Sequence, residues 1–514
     1  MRLKNRGRWT ALIAVVAVFA TACGGSGGGS AASKADPNAK FVWSFSVGPA
    51  TLDPQLGTSE YDLRMMWPVY DRLTYINEKG AVEPMLAESW NFAKDNSTLT
   101  LKLRTGVTFS DGAPLTAKAV KLSLERGLTE GRSAAFQQVD KVVGSIEVVD
   151  ELTVRLDLEG PAGALPFFLG GRAGMIVSPE ALDNPDLGQV PVGTGAFTLT
   201  KSEPGVRYEY TRRDDYWDKD AYKFGKMELL VQADDSTRLN AVRSGQQDAT
   251  FIREAQVAEA KAAGLQTVSG PRLSFYSLSL NTSRSEFKNA KVRQALSLAT
   301  DRPSINKGLF AGRCTVTAQP FPKGYFAHDE DFPKKEWETF NPNRAKNLLA
   351  EADLAGGFTF TALVPSITGY QTLAQVLQEQ YAKIGVTMKL KVVDAAQMIT
   401  LFSAGSADAL VGSFAGDVDP SIYTGSAYLA GPLNPGGLTN PEIRRLHTEA
   451  LESTDLEVRG KSYAKLLDAV YAQGPSDLPI CFRGGDMAAR DGVNGLKAYI
   501  TGTYDFRDVT VSAG

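Results

Sequence analysis

Cysteine and histidine are nearly absent from this chain: 514 residues hold three cysteines and two histidines. His328 and His447 stand far apart with no ligand pattern beside either, which argues against a zinc site, structural or catalytic. No metal and no cofactor are expected. The apolar run at 11–20 is too short to cross a bilayer as a helix, which takes about 20 residues. Neither sign of charge dominates, with 55 Lys and Arg against 58 Asp and Glu, so nothing points to nucleic acid. Catalytic signatures are equally scarce. The one G-x-S-x-G, at 24–28, lies in a glycine-rich stretch where no strand–turn–helix elbow can form. Gly193-Thr194-Gly195 lacks the third glycine of a dinucleotide loop and precedes a hairpin strand, not a helix. Any of the acids could meet another in space as a glycosidase-like pair, but no feature favours it. A secreted hydrolase is therefore the weaker alternative. An adhesive or chaperone-like module lacks the repeats or exposed sticky segment it would need.

The informative features begin at the N-terminus. Arg2, Lys4, Arg6 and Arg8 followed by the apolar run form an export signal over 1–22. Ala20-Thr21-Ala22-Cys23 reads as a lipobox, with Ala20 where leucine is usual, so Cys23 is the expected lipidation site. The Gly/Ser-rich stretch that follows is a flexible tether running to residue 39. Two acyl chains on Cys23 would anchor the mature chain, expected to be a monomer, to the outer face of the cytoplasmic membrane. Loss of the four basic residues with the signal shifts the formal charge from −3 to −7. About 475 residues then remain, too many for one core, so two or three lobes are expected. Cys314 and Cys481 fall in the C-terminal half, either as a disulfide or as two isolated buried thiols.

The segment 84–126, PMLAESWNFAKDNSTLTLKLRTGVTFSDGAPLTAKAVKLSLER, is the most ordered pattern in the chain. Leu99, Leu101 and Leu103 alternate with Thr100, Lys102 and Arg104, the period of a half-buried strand. Ser110-Asp111-Gly112 is turn chemistry, and Thr116 caps a helix that buries Val120 and Leu124. These residues read as scaffold. Elsewhere, strands are predicted at 41–47, 144–149, 152–158, 274–281, 358–364, 386–393 and 409–414. Helices are predicted at 61–73, 343–352, 370–383, 441–451 and 457–472, and the last piece, 496–511, reads as strand-rich. Strands alternating with helices imply α/β lobes with ligand sites at strand ends.

Segment 84–126 resembles the signature P-x-L-A-x-S-W … L-R-x-G-V-x-F-x-D-G-x-P-L-T-A of family 5 extracellular solute-binding proteins. These proteins serve ABC importers of peptides, oligosaccharides and nickel complexes. PVGTGAF at 191–197, RRDDYW at 212–217 and the block from Asn281 through Val292-Arg293-Gln294-Ala295-Leu296 to Asp301-Arg302 are similar to further family motifs. The resemblance implies an α/β fold, periplasmic-binding-protein-like (type II, cluster C), with two main lobes, a hinge and an extra smaller lobe. Lobe I would comprise 40–77, 191–281 and 491–514, lobe II 78–190 and lobe III 282–490, with hinge crossings near 281 and 490. Function would be capture of an oligopeptide or similar small solute in the interlobe cleft and its delivery to the permease subunits. A non-peptide solute (sugar, metal chelate, amino-acid derivative) is the alternative.

The resemblance also places a site in Phe414-Ala415-Gly416-Asp417-Val418-Asp419-Pro420. There Asp417 would pair with a ligand ammonium and Phe414, where the family usually has Trp, would stack or pack. Asp419 before Pro420 reads instead as a helix cap. Thr58, Ser59, Tyr61 and Tyr276 are further candidate ligand contacts, and Trp217 reads as packing. Dipeptide binders carry an arginine where this chain has Pro365-Ser366-Ile367-Thr368-Gly369-Tyr370, a departure that argues against a strict free-dipeptide receptor and favours a longer peptide held by main-chain hydrogen bonds, or a neutral or cationic solute.

Overall fold

A computed structural model describes residues 36–332, 339–395 and 397–512. The export signal, Cys23 and most of the tether lie outside the described residues. The strand Lys40–Phe45 has almost no polar face, and Phe41 and Trp43 are fully buried. It accordingly sits in the interior of a seven-stranded sheet, parallel to both neighbours, Lys226–Val231 and Ala249–Ile252. Arg207–Arg212 and Phe197–Glu203 extend one side, while Asp486–Ala489 and Gln266–Val268 extend the other. Asp248 clamps this assembly, accepting from the Val42 amide at 2.6 Å and pairing with Arg490 at 2.6 Å.

A second sheet of six strands runs Thr315–Val316, Asp477–Gly484, Pro271–Leu280, Ala409–Phe414, Thr359–Pro365, Thr387–Val393. Its last two strands are parallel and joined by the helix Thr368–Ala382, the β-α-β unit expected from the alternating pattern. Cys314 and Cys481 are joined by a disulfide beside its edge pair, with Cα atoms 5.6 Å apart. Asp477 is fully buried, accepts from Ser279 Oγ at 2.5 Å and Tyr423 Oη at 2.7 Å, and has its carboxyl pKa raised by burial.

Segment 84–126 supplies two of the four strands of a third sheet, all antiparallel: Ala87–Phe92, Thr98–Leu103, Thr153–Leu158, Val143–Asp150. Leu99, Leu101 and Leu103 point into its core, and Gly112 takes φ +90° in the turn, a conformation that favours glycine. Thr116 accepts from the Ala119 amide at 3.2 Å and caps the helix Ala117–Glu130, which buries Val120 and Leu124 against the sheet.

Three expectations are corrected. The chain passes from the seven- to the six-stranded sheet at 269–270, and back at Gly485, rather than near 281 and 490. Pro271–Leu280 pairs with Ala409–Phe414 and Asp477–Gly484, so the crossing precedes it. The helix expected over 61–73 stops at Met66, because Pro68 lacks the amide that another turn would need. The stretch 496–511 contributes only Thr510–Val511 as strand; Tyr504 and Phe506 instead pack as irregular chain on Trp43, at ring distances of 5.0 and 5.3 Å.

His447, on the helix Pro441–Glu452, meets Thr424 Oγ1 at 2.9 Å. Burial pushes its imidazole down to about 4 from 6.5; Asp419 opposes the shift, whereas Arg459 and Arg444 add to it. The unfolded chain therefore takes up the proton first as pH falls. The site costs nothing above about pH 6.5 and erodes stability from there to about pH 4. Between pH 7 and 5 we expect His447 to remove about 1–2 kcal/mol. Urea titrations at the two pH values check this: His447→Gln should flatten the drop, and an identical drop in the variant would refute the assignment.

Candidate functional site

A two-chambered cleft opens beyond the carboxyl ends of Lys40–Phe45, Ala249–Ile252 and Ala409–Phe414, the position where α/β sheets characteristically bind ligands. Leu63, Trp67, Gly416, Thr501 and Thr503 line both chambers and make them continuous. Gly416 takes φ +90°, and a Cβ there would fall 3.1 Å from the Ser274 amide nitrogen. Glycine thus lets loop 415–417 lie against the start of Pro271–Leu280, which carries Asp417 to the cleft wall.

The first chamber is lined by Thr58, Arg72, Tyr75, Arg172, Asp417, Tyr499 and Asp505 among others. Its arginines are internally balanced. Arg72 pairs with buried Asp505 at 3.4 Å and lies over the Trp67 ring at 3.9 Å. Arg172 pairs with buried Asp62 at 3.6 Å. Asp417 Oδ1 accepts from the Val418 amide at 2.7 Å, and Tyr325 Oη donates to the Val418 carbonyl at 3.1 Å, which holds the loop in place.

The second chamber differs in charge. Its wall carries Arg64, Arg253, Arg272 and Arg483 among the aromatics Phe45, Tyr61 and Phe251, with no carboxylate among the described lining residues. Arg64 lies 4.0 Å from the Phe45 ring centroid and 5.1 Å from that of Tyr504.

Of the residues singled out from sequence, Thr58 and Asp417 line the first chamber and Tyr61 the second. The other three lie elsewhere. Ser59 is the N-cap of the helix Glu60–Met66, its hydroxyl accepting from the Tyr61 amide at 3.1 Å. Phe414 packs on Tyr423 at 5.0 Å and Phe275 at 5.8 Å. Tyr276 stacks on Phe310 at 4.8 Å beneath Arg483, and burial pushes its hydroxyl up to about 12. Asp419 caps the helix Pro420–Tyr428, as its proline register predicts, and Trp217 packs under Arg104 while donating to Asp71 at 2.8 Å. No described residue of 84–126 or of 365–370 is among the lining residues. Nothing local in the sequence marks the cleft arginines, which come from separate stretches and carry no motif.

The chain belongs to the bacterial extracellular solute-binding proteins, family 5, whose middle-region model matches residues 81–434. It is a solute-binding protein and not an enzyme, and no described helix is long and apolar enough to cross a membrane. Among its relatives, the glutathione-binding protein GsiB of Pectobacterium atrosepticum is 27% identical over 446 residues, covering 83% of this chain and 85% of that protein. Among solved structures, HbpA2 from Haemophilus parasuis superposes with a TM-score of 0.82 at 26% identity, covering 92% of this chain and 100% of that one. The binding protein AgaA of A. tumefaciens R10, in complex with agropinic acid, gives 0.77 at 26% identity, covering 93% and 99%.

Proposed function

We propose that the protein is a receptor, lipid-anchored at Cys23 on the outer face of the membrane, that captures a peptide or peptide-like solute and delivers it to the permease of an ABC importer. The observation that carries this reading is the two-chambered cleft at the strand ends, with Asp417 on its wall. Lobe I would be built on the seven-stranded sheet from 40–77, 191–270 and 485–512, lobe II would be 78–190, and lobe III 271–484. The two crossings at 269–270 and Gly485 would form the hinge. Solute bound by both main lobes favours the closed form through contacts the open form lacks. Kinship with a glutathione-binding protein supports a peptide; kinship with an agropinic-acid binder supports an amino-acid derivative as the second reading.

Native mass spectrometry of the purified protein identifies any solute carried through purification, and a ligand-induced rise in Tm without turnover is the receptor's signature. Asp417 would hold a ligand ammonium through a charge-assisted bond shielded from water, so Asp417→Asn should weaken binding of that solute about 10–100-fold. Unchanged affinity by calorimetry would sink the ammonium role.

A further inference from the structure

We propose that the solute is an anion: an amino-acid-derived molecule whose carboxylates outnumber its ammonium groups, seated in the second chamber against Arg272 and Arg483. This rests on the receptor reading above and names its ligand class. The described lining of that chamber holds four arginines and no carboxylate, and the proposal stands on two of them. Arg253 is ion-paired outward with Asp235. Arg272 and Arg483 have no carboxylate within 4.0 Å among the described residues. Glu254 acts on Arg483 only at longer range, and Asp486, which feels Arg272, is committed to Ser269 and to Arg313 at 3.8 Å.

Aromatic rings hold these two cations in place of acids. Arg272 lies 5.6 Å from the Phe251 centroid and 5.4 Å from that of Tyr504, whose hydroxyl accepts from Nη2. Its Nε is buried and without a partner. A Cβ on Gly485 would fall 2.4 Å from that Nε, so glycine there makes room for the guanidinium. Arg483 lies 5.3 Å from the Tyr276 centroid. A ring occupies the face of a guanidinium and leaves its N–H edge for a carboxylate fork. Arg272 and Arg483, whose nearest carboxylates act only from beyond ion-pair distance, repel one another in a sheltered cleft, and an anionic guest relieves that repulsion. The first chamber, whose arginines already have acids, carries on its wall Asp417, the ammonium partner of the reading above. The arrangement accounts for a carboxylate binder that lacks an arginine at 365–370.

The test is a matched panel on the intact mature protein, read by thermal shift and calorimetry. Glutathione and Ala-Glu-Glu are each compared with the counterpart in which every carboxyl is an amide. We expect at least one acid to raise Tm and its amide to bind about 10–100-fold more weakly. Arg272→Gln and Arg483→Gln should each weaken the acid by a similar factor and the amide little. An amide that binds as tightly as its acid, a panel in which no acid binds, or acid affinity unchanged in both variants would overturn the proposal. Tight binding of an amide would leave the receptor reading standing, whereas hydrolysis of a probe would count against the receptor reading itself.

Discussion

Arg459→Met should destabilise the protein by about 3–5 kcal/mol, the cost of stripping one partner from a buried ion pair. Arg459 and Asp419 are both fully buried and bonded through Nη2 at 2.7 and 3.0 Å. The same guanidinium donates to the Ala450 carbonyl at 2.8 Å and the Gly163 carbonyl at 3.1 Å, so it joins the helices Leu456–Ala472 and Pro441–Glu452 to a stretch some 300 residues earlier in the chain. Its face is covered by Phe326 at 5.3 Å and Phe167 at 5.5 Å. Methionine would keep much of the volume but leave the Asp419 carboxylate uncompensated, with the Ser421 amide at 3.0 Å as its remaining bond among these. Pairing the change with Asp419→Asn should recover part of the loss, because the stranded charge disappears. Urea unfolding followed by circular dichroism measures both; a single variant within about 1 kcal/mol of the parent would contradict the assignment.

Removal of the disulfide is the second large effect. Cys314 and Cys481 close a loop spanning 167 positions, and bridges over long loops restrict the unfolded chain most. Cys314→Ala with Cys481→Ala should lose about 2–5 kcal/mol, and reductant should lower the parent's Tm while leaving the double variant's unchanged. The bridge joins the short edge strand Thr315–Val316 to Asp477–Gly484, so the edge should fray first, visible as faster amide exchange at 315–316. Equal Tm with and without reductant, with both thiols titrating as free, would remove the bridge from the account of stability.

Much of the architecture was legible locally. Period-two leucines at 99–103 and the Thr116 cap are short-range signals, and the structure places them as read. Asp419 reads as a cap because a proline follows it, a rule that involves only neighbours. The failures share one cause. The stretch 496–511 has strand-forming residues, but Tyr504 and Phe506 are taken up by the core around Trp43 before they can pair. The expected crossing near 281 missed because strand partners, not strand boundaries, decide which sheet Pro271–Leu280 joins.

Sequence alone determined the family, the α/β class and the scaffold role of 84–126, because periodicity, caps and turns act over a few residues. Only the tertiary structure decided the charge of the cleft. Arg64, Arg253, Arg272 and Arg483 lie as much as 419 positions apart, and the field they create exists only once two sheets bring their strand ends to one wall. Electrostatic character is a sum over neighbours in space, and here those neighbours are distant in the chain.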